Sequence, residues 1–282
     1  MEANSDPAPS RDESAFGYAA NSGMRPLLGQ VDPSPVGIVN PGGRSPFLLI
    51  GDHAGNRLPS SLATLGLSAE DLRRHIAWDI GVQSLGELLS DALDAVFLHQ
   101  RYSRLVVDCN RDPESESLIP SVSDGTFIQG NQGLSEHQRL ERLEAIHEPY
   151  QRAIAAELDS RRRSDQATVL ISLHSFTPTL FTVARDRPWH IGVLHDRGNI
   201  KFATDLLAVL RTFEAMVVGE NEPYTMPGSD YTVPRHAYPM GLPYAELEIR
   251  QDLLLERIDL LGWRDRLSTA LLKAADHSGG PF

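Results

Sequence analysis

The sequence predicts an α/β domain of three layers, a mostly parallel mixed sheet covered by helices on both faces. Three observations lead there. From residue 45 onward, short apolar runs alternate with segments of helical period, the order that builds parallel sheets with helices on either side. Runs leading to His53, to Asn110 and Arg111, and to His174 stop at polar residues, as strands do where their carboxyl ends open on a ligand cleft. Lastly, Tyr244 to Asp252 reads as a strand with Glu246, Glu248 and Arg250 on one face and Ala245, Leu247 and Ile249 on the other. Acidic side chains seldom enter such a strand unless they are paired, metal-bound or used in chemistry.

Residues 1–44 are rich in Ser, Pro, Gly, Asn and Asp without a sustained apolar period. They are expected to form a flexible arm ahead of a single domain over residues 45–282. The first strand is Pro46 to Ile50, halted by Gly51, Asp52 and His53. Ser68 with Glu70 and Asp71 has the composition of a helix start and opens a short helix near Leu72 to Ile76. Gly81 to Leu93 carries Val82, Leu85, Leu88 and Leu89 at helical spacing. Ala95 to Leu98 and Leu105 to Val107 are the next expected strands, and Ser135 opens a long helix through Leu158. Strands follow at Thr168 to Leu173 and Trp189 to Leu194, a helix from Ile200 to Arg211, and a strand at Met216 to Val218. Glu220 to Pro243 reads as a long loop, and Leu253 to Ala275 as the last helix.

A net charge of −12, with 26 scattered basic residues, disfavours nucleic acid or an anionic membrane as the main partner. No apolar run reaches the ~18 residues of a membrane span, and the N-terminus lacks a basic segment followed by an apolar one. The single cysteine, Cys109, excludes an internal disulfide framework and suits a reducing cytoplasm. A cytoplasmic protein acting on a small molecule is therefore expected. Glycine-rich phosphate loops and a G-x-S-x-G nucleophile elbow are absent.

His53 and His174 are the leading metal-ligand candidates, because neutral imidazole is a common zinc ligand and both follow strands at one sheet rim. A catalytic zinc takes three protein ligands and leaves a position open. Asn56, three residues after His53, and Asp79, an isolated acid among apolar neighbours, are both candidates for the third. Glu248 is the expected general base, with Glu246 its rival. Arg111, with Asn110 beside it, suits recognition of a carboxylate. Arg104 or Arg101 suits an oxyanion, and Asp108 is placed to brace a neighbouring group. Tyr224 and His236, in the long loop, are expected substrate contacts.

These segments together resemble the N-formylglutamate amidohydrolase family, and more distantly zinc carboxypeptidases and acyl-amino-acid deacylases. The residues that carry the resemblance are Gly51 to Pro59, Trp78-Asp79, Tyr102 to Pro113, Ser172 to Ser175, Asn221 to Tyr224 and Glu246 to Asp252, in order between about residues 46 and 273. The resemblance implies a phosphorylase/hydrolase-like fold and hydrolysis of a small N-formyl or N-acyl amino acid such as N-formylglutamate, releasing formate, in histidine breakdown. It also implies zinc, or another divalent metal, at His53 and His174. Glu248 would be the base, and Asn110 and Arg111 would hold the substrate carboxylate. Asn56 stands where the carboxypeptidase pattern has a metal-binding Glu. Two alternatives remain open: a hydrolase for another acyl group, and a metal-free binding protein with an amino-acid-like ligand.

Overall fold

Strands in the middle of the sheet are covered on both faces, and their sequences accordingly run apolar with few breaks. In the computed structural model, which describes residues 26–183 and 185–279, the elements run in chain order as follows. The first are β1 (Val36–Val39), β2 (Phe47–Gly51), α1 (Val82–Leu93) and β3 (Val96–Gln100). A small hairpin, β4 (Val122–Ser123) and β5 (Thr126–Phe127), precedes α2 (Glu136–Arg142) and α3 (Glu148–Arg163). There follow β6 (Val169–Phe176), β7 (Ile191–Leu194), α4 (Lys201–Leu210) and β8 (Val218–Glu220). The last are α5 (Thr232–His236), β9 (Tyr244–Arg250) and α6 (Arg257–His277).

The main sheet has seven strands in the order β1-β3-β2-β6-β9-β7-β8. Its centre is parallel from β3 through β9, whereas β1 runs antiparallel to β3 and β7 antiparallel to β9. This is the mixed α/β sheet that the alternating pattern predicts. Odd-numbered residues of β2, β6 and β9, such as Leu49, Ile171 and Leu247, join one core cluster with apolar side chains of α1, α4 and α6. Leu48, Leu170 and Tyr244 join the other with Tyr150, Ile154 and Leu158 of α3. Toward the carboxyl ends of β6 and β9 that second face changes character. Ser172 pairs in register with Glu246, and His174 with Glu248. Polar residues thus replace the core where the strands leave it, and the face expected for Glu246 and Glu248 is the face observed.

Several elements differ from expectation. Of the stretch read as an arm, residues 1–25 lie outside the described residues, but Val36–Val39 is the edge strand β1 and Leu27 is buried. A Cβ at Gly37 would lie 2.0 Å from Nε2 of His99 across the pair, so the glycine that reads as loop composition permits the strand. Leu105 to Val107 is not a strand. The three side chains are fully buried, yet the backbone turns, with Val106 N–H donating to Ser103 O and Asp108 N–H to Leu118 O. A short apolar run signals burial and leaves the backbone conformation open. The helix expected near residues 72–76 is only a 3₁₀ turn, Asp71–Arg73, although Ser68 does accept from Asp71 N–H as an N-cap would. The long helix begins at the expected Ser135 with a capping box and widens into a π-turn over Leu143–His147 before α3. Among the described residues no helix is long and apolar enough to cross a membrane.

Candidate active site

Parallel pairing brings the ends of β2 and β6 to one rim, and the chain leaving β2 turns back at His53 to accept a hydrogen bond from Asp79 N–H through its carbonyl, 2.8 Å. Asp79 is thereby held beside His53 just before α1, and His174 projects from β6 toward both. Nδ1 of His174 lies 2.9 Å, and Nδ1 of His53 3.6 Å, from Oδ2 of Asp79. One ligand atom from each of the three residues falls within 4.8 Å of the others. The far nitrogens are also occupied. Nε2 of His53 meets Asp108 Oδ1 at 2.6 Å, and Nε2 of His174 lies 3.3 Å from Asp52 Oδ2 and 3.1 Å from Ser172 Oγ. A carboxylate behind each imidazole, fixing its orientation, is the arrangement that metal-binding histidines usually have.

The residues fit a divalent cation on two further grounds. Nδ1 of His53 is buried without a hydrogen-bond partner, an orphan that a metal would satisfy. The electrostatics agree. Burial works against ionisation of Asp79, yet the imidazoles of His53 and His174 overcome it and hold the carboxyl below the usual carboxylate range. Burial likewise opposes a charge on His174, but Asp52 and Asp79 raise its proton affinity well above that of a free imidazole. Two imidazoles among three buried carboxylates make a point where positive charge is favoured.

A cavity of about 370 Å³ opens on this cluster and is lined also by Arg104, Asp108, Asn110, Arg111, Tyr224 and Glu248. Glu248 is buried, its Oε2 has no hydrogen-bond partner, and burial, with Asp79 and Asp230 adding to it, pushes its carboxyl up to about 8. Burial and the neighbouring Asp230 also raise Glu246 well above the usual range. Arg104 donates from Nε and Nη2 to Asp108 Oδ2, at 3.1 and 2.7 Å, and its Nη1 lies 3.6 Å from Asp79. Burial would favour its neutral form, and these two carboxylates reverse that and hold it ionised. Arg111 donates to the carbonyls of Asn110 and Ser229 and, among the described residues, has no carboxylate partner.

Two sequence expectations change. Asn56 does not line the cavity: its Nδ2 donates to Leu72 O, and Asp79 takes the third place beside the histidines. His236 is buried away from the cavity with Nε2 2.8 Å from Gln151 Oε1, because α5 points it toward α3. The Asn110 side chain lines the cavity as expected, with its oxygen and one of its two amide N–H groups engaged. Its Oδ1 accepts from Tyr231 and Thr232 N–H, and its Nδ2 donates to Asp230. It ties down the loop ahead of α5. Sequence reasoning missed Asp52 as the brace of His174 and Asp230 as a cavity acid; each stands next to a singled-out or loop residue, and only the fold shows where it points. Asp108, expected as a brace, does brace His53.

Fold and cavity together define an α/β protein with a buried His-Asp-His cluster that could hold a metal ion, beside a buried carboxyl group in the same cavity. The chain belongs to the N-formylglutamate amidohydrolase family, whose model matches residues 45–255. It is 32% identical over 143 residues to N-formylglutamate deformylase of Pseudomonas putida, covering 47% of this chain and 52% of that protein. To the Pseudomonas aeruginosa deformylase it is 31% identical over 153 residues, 49% of this chain and 56% of that one. The matches thus span about half the length of these relatives. Among solved structures, the gene product Atu2144 from Agrobacterium tumefaciens superposes with a TM-score of 0.85 at 34% identity, covering 89% of this chain and 98% of that one. The N-formylglutamate amidohydrolase from Ralstonia eutropha JMP134 shares the fold, with a TM-score of 0.67 at 19% identity over 87% of this chain and 98% of that one.

Proposed function

We propose that the protein is a metal-dependent amidohydrolase that cleaves the amide bond of a small N-formyl amino acid, N-formylglutamate being the first candidate, to release formate and the free amino acid. The observation that carries this reading is the register of β6 against β9. It sets Glu248 directly beside His174, so that a buried carboxyl stands next to the cluster suited to a cation. His53, Asp79 and His174 would hold the metal, zinc by the chemistry of the donors. When bound, it would polarise the amide carbonyl and make water a better nucleophile.

The chain's own residues supply the rest. Glu248, whose burial raises its proton affinity, takes a proton from the attacking water and delivers it to the leaving nitrogen. Arg104, held ionised and fixed by Asp108, sets a permanent positive charge at the cavity wall, where it stabilises the oxygen that becomes negative as water adds. Arg111, the cavity cation without a carboxylate partner, takes the substrate α-carboxylate. The reading as a metal-free binding protein rested on Asn56 as a poor third ligand, and the carboxylate of Asp79 beside the two histidines supports the metal-bound reading over it. A different acyl group in the same site is tested by comparing N-formyl, N-acetyl and N-succinyl amino acids for amine release. The decisive variant is Glu248→Gln. It is expected to bind metal as the wild type does and to lose turnover by roughly 10²–10⁴-fold, and wild-type turnover in that variant would remove Glu248 from the mechanism.

A further inference from the structure

One buried charge next to the residues that line the cavity has no part in the proposed reaction. Arg187 is only 9% exposed, and among the described residues no carboxylate lies within the 4.0 Å of an ion pair from its guanidinium. Burying a guanidinium without a counter-charge is costly. Its Nη1 donates to Thr177 O and to Tyr224 Oη, both at 3.1 Å, and the group stands 5.0 Å from the Tyr224 ring centroid and 5.9 Å from that of Phe176. Phe176, Thr177 and Tyr224 all line the cavity, with Arg187 behind them.

The bond between the two side chains fixes the direction of the phenol. Arginine has no acceptor, so the Tyr224 oxygen must accept from Arg187, and its single O–H remains for another partner. Among the described residues the hydroxyl has no other hydrogen bond, and Tyr224, 39% exposed, lines the cavity. A donor backed by an unpaired cation is suited to an anion. Arg111 is the other cation at the cavity without a carboxylate partner, while Arg104 is occupied by Asp108 and Asp79. Two uncompensated guanidiniums match a ligand with two carboxylates.

We infer that Tyr224 Oη, with Arg187 behind it as a positioning residue, forms a second anion subsite that takes the side-chain carboxylate of an acidic N-acyl amino acid. The inference rests on the proposed hydrolysis only for the substrate backbone and its α-carboxylate at Arg111. Arg187 acts through the phenol: it holds the ring in place, dictates which way the O–H points and supplies the charge that strengthens it.

Two measurements test this. In the first, calorimetry on the metal-loaded protein compares glutarate, which has two carboxylates and no N-acyl group, with its monoamide, which has one. In the second, kcat/KM is compared for N-formylglutamate and N-formylglutamine. Wild type is expected to prefer the dianion in both. Tyr224→Phe and Arg187→Met should each reduce that preference roughly 10- to 100-fold, Arg187→Lys should retain part of it, and Arg187→Met should add little in the Tyr224→Phe background. Tyr224→Phe decides the matter should Arg187→Met fail to fold. Equal losses for acidic and neutral ligands, or an unchanged preference in Tyr224→Phe, overturn the inference. If wild type cleaves neither N-formyl compound, the proposed hydrolysis fails, and the glutarate comparison still decides the subsite.

Discussion

At the scale of single residues, the site is governed by which polar groups have partners and which do not. His53 and His174 each have a carboxylate at the far nitrogen, so removing that brace should loosen the metal without removing a ligand. Asp108→Asn and Asp52→Asn are each expected to weaken metal affinity about 10- to 100-fold, measured by competition with a chromophoric chelator. Affinity equal to wild type would show the braces to be incidental. His236 offers a test independent of the metal. Burial first, and then the charge of Arg235, push its imidazole down to about 4 from an ordinary 6.5. Between those values the unfolded chain binds a proton that the folded protein excludes. Stability is therefore complete above pH 6.5 and is lost as pH falls toward 4, by about 2 kcal/mol between pH 7 and pH 5. Denaturant titrations of His236→Gln should show that slope flattened, and an unchanged slope would place the titrating group elsewhere. Much of the site was legible at this scale. His53, Asp79, His174 and Glu248 could be found because polar residues interrupt apolar runs. Asn56 and His236 misled, since sequence position alone cannot say whether a side chain turns into a cavity or back into the core. Arg187 gave no signal, because nothing in its local sequence sets it beside the cavity.

At the scale of elements, strand pairing does the positioning. The alternation in Tyr244–Arg250 was readable because two faces with opposite needs impose period two, and its partner register with β6 then sets Glu248 beside His174. The apolar run Leu105–Val107 was misread because a buried turn and a buried strand require the same side chains. Tight approach between segments is a further constraint. A Cβ on Gly55, two residues past His53, would meet the Arg101 backbone at 2.1 Å, so the chain leaving β2 can lie against the chain leaving β3 only with glycine there. Gly55→Ala is expected to destabilise the fold by ~1–3 kcal/mol and to lower metal affinity by shifting His53. Thermal melts and metal analysis of that one variant check both, and a wild-type result in both would mean that the close approach carries no function.

At the scale of the whole molecule, the α/β architecture followed from the order of elements. The edge strand β1 did not, because its short, glycine-containing sequence gains its shape from pairing with β3 and not from its own pattern. The His53-Asp79-His174 cluster joins the chain just past β2, the residues ahead of α1 and the carboxyl end of β6, so a bound ion should stabilise the molecule as a whole. Free metal at 1,000 times its Kd would add about 4 kcal/mol, and chelation should lower the melting temperature and abolish turnover together, both recovering when zinc is restored. Whether two imidazoles and Asp79 hold a catalytic cation is decided by elemental analysis of the purified wild type beside Asp79→Ala and Asn56→Ala. A single divalent ion per chain is expected in wild type and Asn56→Ala, with loss of that ion in Asp79→Ala. Full metal occupancy in Asp79→Ala, or a wild type that takes up no divalent ion when zinc is supplied, would contradict that expectation.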